Sequence, residues 1–238
     1  MDDLSAFNIS TFSGGKDNLE VVQGIPASIA SASASASISS ASSPDDPDPD
    51  PDLQVSNQTP ILLALHKPHR RTKWRTTESA IQLFYPAGSI NPAQRPVGGA
   101  QFYATPLVLT GARNVSLGYS VFFPENFDWV LGGKMPGLYG GHAGCSGGSV
   151  ALDYWSTRLM WRKAGEGELY LYAPKDKQTT ELCDDPRSVC DAKYGFSIGR
   201  GSFLCGAGRW TSVLQTVTLN TPGKQDGSFQ RLVATVTA

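Results

Sequence analysis

Residues 156–173 carry the side chains in this chain best suited to acid–base work on an anionic substrate. They read STRLMWRK, then AGEG, then ELYLYA: two arms rich in aromatic, β-branched and long apolar residues around a glycine-containing turn. That is a hairpin pattern. Side chains alternate between the two faces of a strand. Thr157, Leu159 and Trp161 therefore point one way in the first arm, and Leu169, Leu171 and Ala173 share a face in the second. The leucine faces suit a core. Ser156, Arg158, Met160 and Arg162, with Glu168, Tyr170 and Tyr172, then belong on the opposite, exposed and concave face. Cross-strand aromatic and cation–π pairing alone could account for such a cover.

The same residue types fit β-elimination on a uronate. That reaction needs a cation or hydrogen-bond donor to neutralise the carboxylate, which acidifies the C5 proton. It also needs a base for that proton and an acid for the leaving glycosidic oxygen. Arginine can hold a carboxylate bidentately. Tyrosine and lysine can act as base or acid if nearby positive charge lowers their pKa. Glycosidic hydrolysis instead requires two facing carboxylates. Glu166 falls in the turn, and Glu168 is the one acid at a sheet-face position of this hairpin, so hydrolysis would need partners distant in sequence.

A second stretch, 128–148, reads DWVLGGKMPGLYGGHAGCSGG and holds eight glycines. Glycine loses more backbone freedom on folding than any other residue, so such a run suits a place where backbone must approach something closely. Its expected regular structure is a short strand at 128–131. Lys134 is its one long charged side chain. A solvated loop lysine is the plain alternative to a site role.

The elements that must position these residues read as β. Expected strands are 81–85, 100–104, 115–123, 149–153, 156–163, 168–173, 196–204, 210–219 and 229–236, separated by Gly, Pro, Asn and Asp. No segment shows a long helical period. An all-β, antiparallel β-sandwich of jelly-roll type follows. Residues 1–60 hold nine acids and one base, an Ala/Ser alternation and the run PDDPDPDPD. They read as a disordered N-terminal segment. Residues 61–79, with ILLAL and then HKPHRRTKWR, read as a basic linker, and 80–238 as the β domain. The basic run has one Trp and no recognisable motif, so nucleic acid is not an expected partner. There is no run of 18 apolar residues, so no membrane span is expected. The start, MDDLSAFNIS, lacks the apolar core of a signal peptide. Cys183 and Cys190 flank DDPRSV and could close it as a disulfide. The sequons at Asn8, Asn57 and Asn114 matter only if the chain is secreted.

Several segments in order resemble the fungal branch of polysaccharide lyase family 14. They are YPAGSINP, GGAQFYATPL, GGKMPGLYGG, CSGG, STRLMWR, GELYLYAP and YGFSIGRGSF, together with the step from FFP to DW at 122–129. The resemblance implies a β-jelly-roll with a cleft on its concave sheet that cuts alginate- or glucuronan-like polyuronates by β-elimination. It implies no metal and no cofactor, an acidic polysaccharide as partner, and secretion; a monomer is expected. The family's cleft lysine matches Lys134, its serine and arginine match Ser156 and Arg158, and its two tyrosines match Tyr170 and Tyr172. Gln101, Tyr139, Arg162 and Arg200, within the matching segments, are candidate substrate-binding residues. The chain departs from the pattern in three ways. It stops at FQRLVATVTA, so the domain is expected to be incomplete at the C-terminus. Tyr154 stands where a partner for Cys145 is expected, and Cys205 has no obvious partner. The family is mostly secreted, and no signal peptide is seen. A non-catalytic carbohydrate-binding or inactive relative with the same groove is the alternative reading.

Overall fold

The computed structural model describes residues 4–24, 59–65, 79–129, 132–144, 151–190 and 194–236. It is all-β: short 3-10 turns join the strands, and no α-helix occurs among the described residues. The strands are β1 (Ile9–Gly14), β2 (Leu19–Gln23), β3 (Thr59–Leu65), β4 (Ser79–Tyr85), β5 (Gln101–Ala104), β6 (Asn114–Phe123), β7 (Gly133–Lys134), β8 (Tyr139–Gly140), β9 (Trp155–Trp161), β10 (Glu166–Tyr172), β11 (Phe196–Leu204), β12 (Arg209–Thr218) and β13 (Ser228–Val236).

Two antiparallel sheets make a sandwich of jelly-roll type. One runs β13-β12-β6-β3-β4-β2; the other runs β11-β10-β9-β7, with β8 also paired to β9. A small β1–β5 pair stands beside them. The interior is filled from both sheets. Ile81, Tyr119, Val121, Phe123 and Val213 come from the first, and Leu159, Trp161 and Leu169 from the second. Beyond the end of β6, Phe123, Phe127, Trp129 and Trp161 form one aromatic group with centroids 4.7–6.0 Å apart. Each such pair contributes about 0.5–1.5 kcal/mol beyond its burial. This group fixes the chain just before β7. Cys205 is buried in the same core as a free thiol, and burial pushes its pKa up to about 12.

Strand alternation in β9 and β10 follows the sequence pattern. Leu159, Trp161, Leu169 and Leu171 pack into the sandwich, while Met160, Tyr170 and Tyr172 form a second cluster on the other face with Ala151 and Tyr154. Four expectations are corrected. Residues 1–60 are not wholly disordered: β1 pairs with β5, and β2 pairs with β4. Residues 25–58 lie outside the described residues. The linker expected at 61–79 begins with a strand instead, since β3 lies between β4 and β6 inside the large sheet. Residues 66–78 lie outside the described residues. Neither Asp128–Trp129 nor 151–153 is in a strand; the rest of those two expected strands, 130–131 and 149–150, lies outside the described residues. Their apolar texture serves the aromatic group at Trp129 and the outer cluster at Ala151 instead.

Candidate active site

The site is built on the outer face of the five-stranded sheet. Directly paired residues on neighbouring strands present their side chains to the same face. One row pairs Tyr139, Ser156 and Tyr172 across β8, β9 and β10. The next pairs Arg158, Tyr170 and Ser197 across β9, β10 and β11. The third pairs Lys134, Met160 and Glu168 across β7, β9 and β10. Residues far apart in the chain thus meet because register, fixed by the buried alternate face, leaves them no other side.

The glycine-rich stretch reaches this sheet by lying hard against β9. A Cβ at Gly133 would meet the Trp161 indole at 2.2 Å, and one at Gly137 would meet backbone of Thr157 and Arg158 at 2.6 Å. The close approach that the glycines permit is therefore to strand β9. Polar groups pin the same strap from below. Thr157 Oγ1 donates to Gln215 Oε1 at 2.8 Å, and Gln215 Nε2 donates to the Pro136 carbonyl at 3.0 Å. The Met135 and Thr157 amides complete the docking by donating to the Leu159 and Leu138 carbonyls. Lys134 and Tyr139 project from the two ends of this strap.

Cations sit over the tyrosine rings. The Lys134 ammonium is 5.3 Å from the Tyr170 centroid, and the Arg162 guanidinium 5.7 Å from it. The Arg158 guanidinium is 5.4 Å from the Tyr172 centroid. Tyr170 and Tyr172 meet edge to face at 5.6 Å, and Tyr154 stacks on Tyr172 at 6.4 Å. The face is less open than its alternation suggests. Tyr170 and Tyr172 are 3% and 1% exposed, and Ser156 is 3% exposed. Neighbouring rings and cations lie against the two tyrosines.

The structure brings Lys134, Ser156, Arg158, Tyr170 and Tyr172 onto one face, with Tyr139 in the Ser156 row. Tyr103 of β5 packs against Tyr139 at 5.0 Å. Gln101 stands two residues before Tyr103 and so on the same face of β5. Arg162 and Arg200 both bind Glu168, through Oε1 and Oε2 respectively. Glu168 is fully buried and also accepts from Ser197 Oγ at 2.7 Å. Sequence reasoning noted Glu168 as a lone acid but missed this cluster; its face parity with Tyr170 and Arg162 was the available signal. It also missed His142, whose Nε2 is 3.1 Å from Asp153 Oδ1 and whose ring packs on Tyr154 at 5.2 Å. Cys183 and Cys190 are joined in a disulfide with Cα atoms 6.0 Å apart, and Cys145 lies outside the described residues. Among the described residues no group of three or more His, Cys, Asp or Glu could hold a metal ion. No helix among them is long and apolar enough to cross a membrane.

The fold is thus an antiparallel sandwich with cations, phenols and a hydroxyl gathered on one outer sheet face. The family model for polysaccharide lyase 14 matches residues 73–237, and the chain belongs to that family. Two solved structures are similar to it. The marine PL-14 alginate lyase from Aplysia kurodai is 39% identical, with 57% of this chain and 58% of that one covered and a TM-score of 0.49. Alginate lyase vAL-1 from Chlorella virus is 18% identical, with 76% and 68% covered and a TM-score of 0.47. The chain thus spans a little over half of the Aplysia enzyme's length. A comparison with curated proteins finds no match.

Proposed function

We propose that this chain is a polysaccharide lyase that cleaves a polyuronate, alginate or a glucuronan, by β-elimination. The observation that carries this reading is the pair of cation-on-phenol contacts, Lys134 on Tyr170 and Arg158 on Tyr172, on one sheet face. Arg158 and Lys134 neutralise the uronate carboxylate, which stabilises the carbanion formed when the C5 proton leaves. Tyr170, Tyr172 or Lys134 takes that proton and returns one to the departing glycosidic oxygen. Ser156, beside Tyr172, positions the sugar. Electrostatic groups fixed before the substrate arrives need no reorganisation during reaction. The carboxylate on this face, Glu168, is held between two arginines, an arrangement ill suited to the paired acids of hydrolysis.

The burial of both tyrosine rings favours a second reading, a carbohydrate-binding protein with the same groove and no turnover. Incubation of the purified chain with alginate and glucuronan separates the two. The lyase reading expects a rise in ultraviolet absorbance from the unsaturated product. Binding without that chromophore on either polymer would favour the second reading and overturn the first.

A further inference from the structure

A fully buried carboxylate is out of place on a surface that receives a polyanion. Alone, Glu168 would repel the substrate and carry a large desolvation cost. Its surroundings reverse its effect. Oε1 accepts from Arg162 Nε at 2.9 Å and Nη2 at 2.6 Å. Oε2 accepts from Arg200 Nε at 2.9 Å and Ser197 Oγ at 2.7 Å. Arg200 Nη2 also donates to Ser197 Oγ at 3.3 Å. The group carries two positive charges and one negative, so it remains cationic.

The three charged residues come from different places: Arg162 just after β9, Glu168 from β10 and Arg200 from β11. Their joint effect is to hold two long, rotamer-rich side chains at the turn end of the β9–β10 hairpin. A guanidinium presents five donors in a rigid fork. Arg162 uses Nε and Nη2 on Glu168, which leaves Nη1 outside that pair. The Arg200 side chain is 32% exposed and that of Arg162 11%, against 0% for Glu168, so the group meets solvent chiefly through Arg200. Glu168 lies two residues along β10 from Tyr170, a separation of about 7 Å along the strand. Glu168 shares the Lys134 row through Met160, and Arg162 and Lys134 both stand over the Tyr170 ring, so the group adjoins the Lys134 position on one side and reaches away from it, across the sheet, through Arg200 on β11.

We propose that Glu168 is a positioning residue that clamps Arg162 and Arg200 into a second carboxylate-binding subsite, for a uronate neighbouring the one at Lys134 and Arg158. The proposal rests on the polyuronate reading of the site. It differs from a purely structural role, in which the cluster only ties the hairpin to β11 and its loss lowers stability without changing affinity. It also differs from simple electrostatics. Removing a negative charge should tighten the binding of a polyanion, whereas releasing two positioned arginines should weaken it.

The test measures KM and kcat on a polyuronate, and binding of the same polymer by calorimetry. Arg200→Ala is expected to weaken binding about tenfold, the scale of a charged hydrogen bond, with the change falling on KM rather than on kcat. Arg200→Lys should recover part of that loss, because it restores the charge but not the fork. Glu168→Gln should raise KM despite removing a negative charge. If Glu168→Gln does not fold, shown by loss of its thermal transition, the two Arg200 variants decide alone. A lowered or unchanged KM in folded Glu168→Gln, or wild-type affinity in Arg200→Ala, would overturn the subsite and leave the lyase reading standing. Absence of both turnover and binding in the wild-type chain would instead overturn that reading, and this proposal with it.

Discussion

Lys134 and Tyr170 lie on strands separated by β9, yet the lysine ammonium stands 5.3 Å from the centre of the tyrosine ring. Two pairings produce this contact. Lys134 is in register with Met160, and Tyr170 with Arg158, two residues along the same face. The relationship ties a cation on the two-residue strand β7 to a phenol on β10. Effective catalysis depends on such groups being held before substrate binds.

If the phenols take part in proton transfer, removing their hydroxyls should matter more than removing packing. Tyr170→Phe and Tyr172→Phe keep the ring contacts with Lys134, Arg158 and Tyr154. At least one of them is expected to lose about 10²–10⁴-fold in kcat, the usual contribution of a positioned acid or base. Thermal melting should show both variants folded. Wild-type turnover in both would reduce the tyrosines to a cover for the sheet.

The strap that carries Lys134 and Tyr139 should be intolerant of bulk at Gly137. Its absent Cβ would lie 2.6 Å from backbone atoms of Thr157 and Arg158, which cannot yield as a flexible side chain would. Gly137→Ala is expected to cost about 1–3 kcal/mol through overpacking, measured by denaturant unfolding. Activity should fall further than stability, because the strap lifts Lys134 from its register with Met160. Normal stability together with normal activity would show that the strap has freedom to shift.

The hairpin was legible in the sequence because one of its faces is apolar and the other carries the polar and aromatic residues, so alternation in STRLMWR and ELYLY assigns every side chain; that both faces are buried was not legible. Lys134 was legible only through family resemblance: β7 is two residues long, and its place is set by glycine contacts with Trp161 and by Gln215, a residue on a distant strand. The first strands were missed for a similar reason. ISTFSG and LEVVQ are short and polar at alternate ends, and their stability comes from partners such as Phe102 and Ile81 far along the chain. The Glu168 cluster escaped because a lone acid in a strand says nothing about an arginine 32 residues away.

His142 offers a pH test at the edge of the site. Hydrogen bonding to the Ala143 carbonyl, and then to the Asp153 carboxylate, raises its pKa above the ordinary 6.5. A pKa raised by folding adds stability that is fully present below the unfolded value and is lost as pH rises through the folded value. NMR titration should therefore place the His142 midpoint above 6.5, and Asp153→Asn should move it down. A wild-type midpoint at or below the ordinary value would mean that the two acceptors do not hold the ring in solution.

Lys134 is the residue on which the proposed cleavage of polyuronates at this face turns. The most direct measurement is ultraviolet absorbance of the unsaturated product, with wild-type and Lys134→Ala chains on the same polymer. A steady rise is expected with the wild-type chain and loss of that rise in Lys134→Ala, with melting behaviour retained. Undiminished product formation by a folded Lys134→Ala chain would contradict that role.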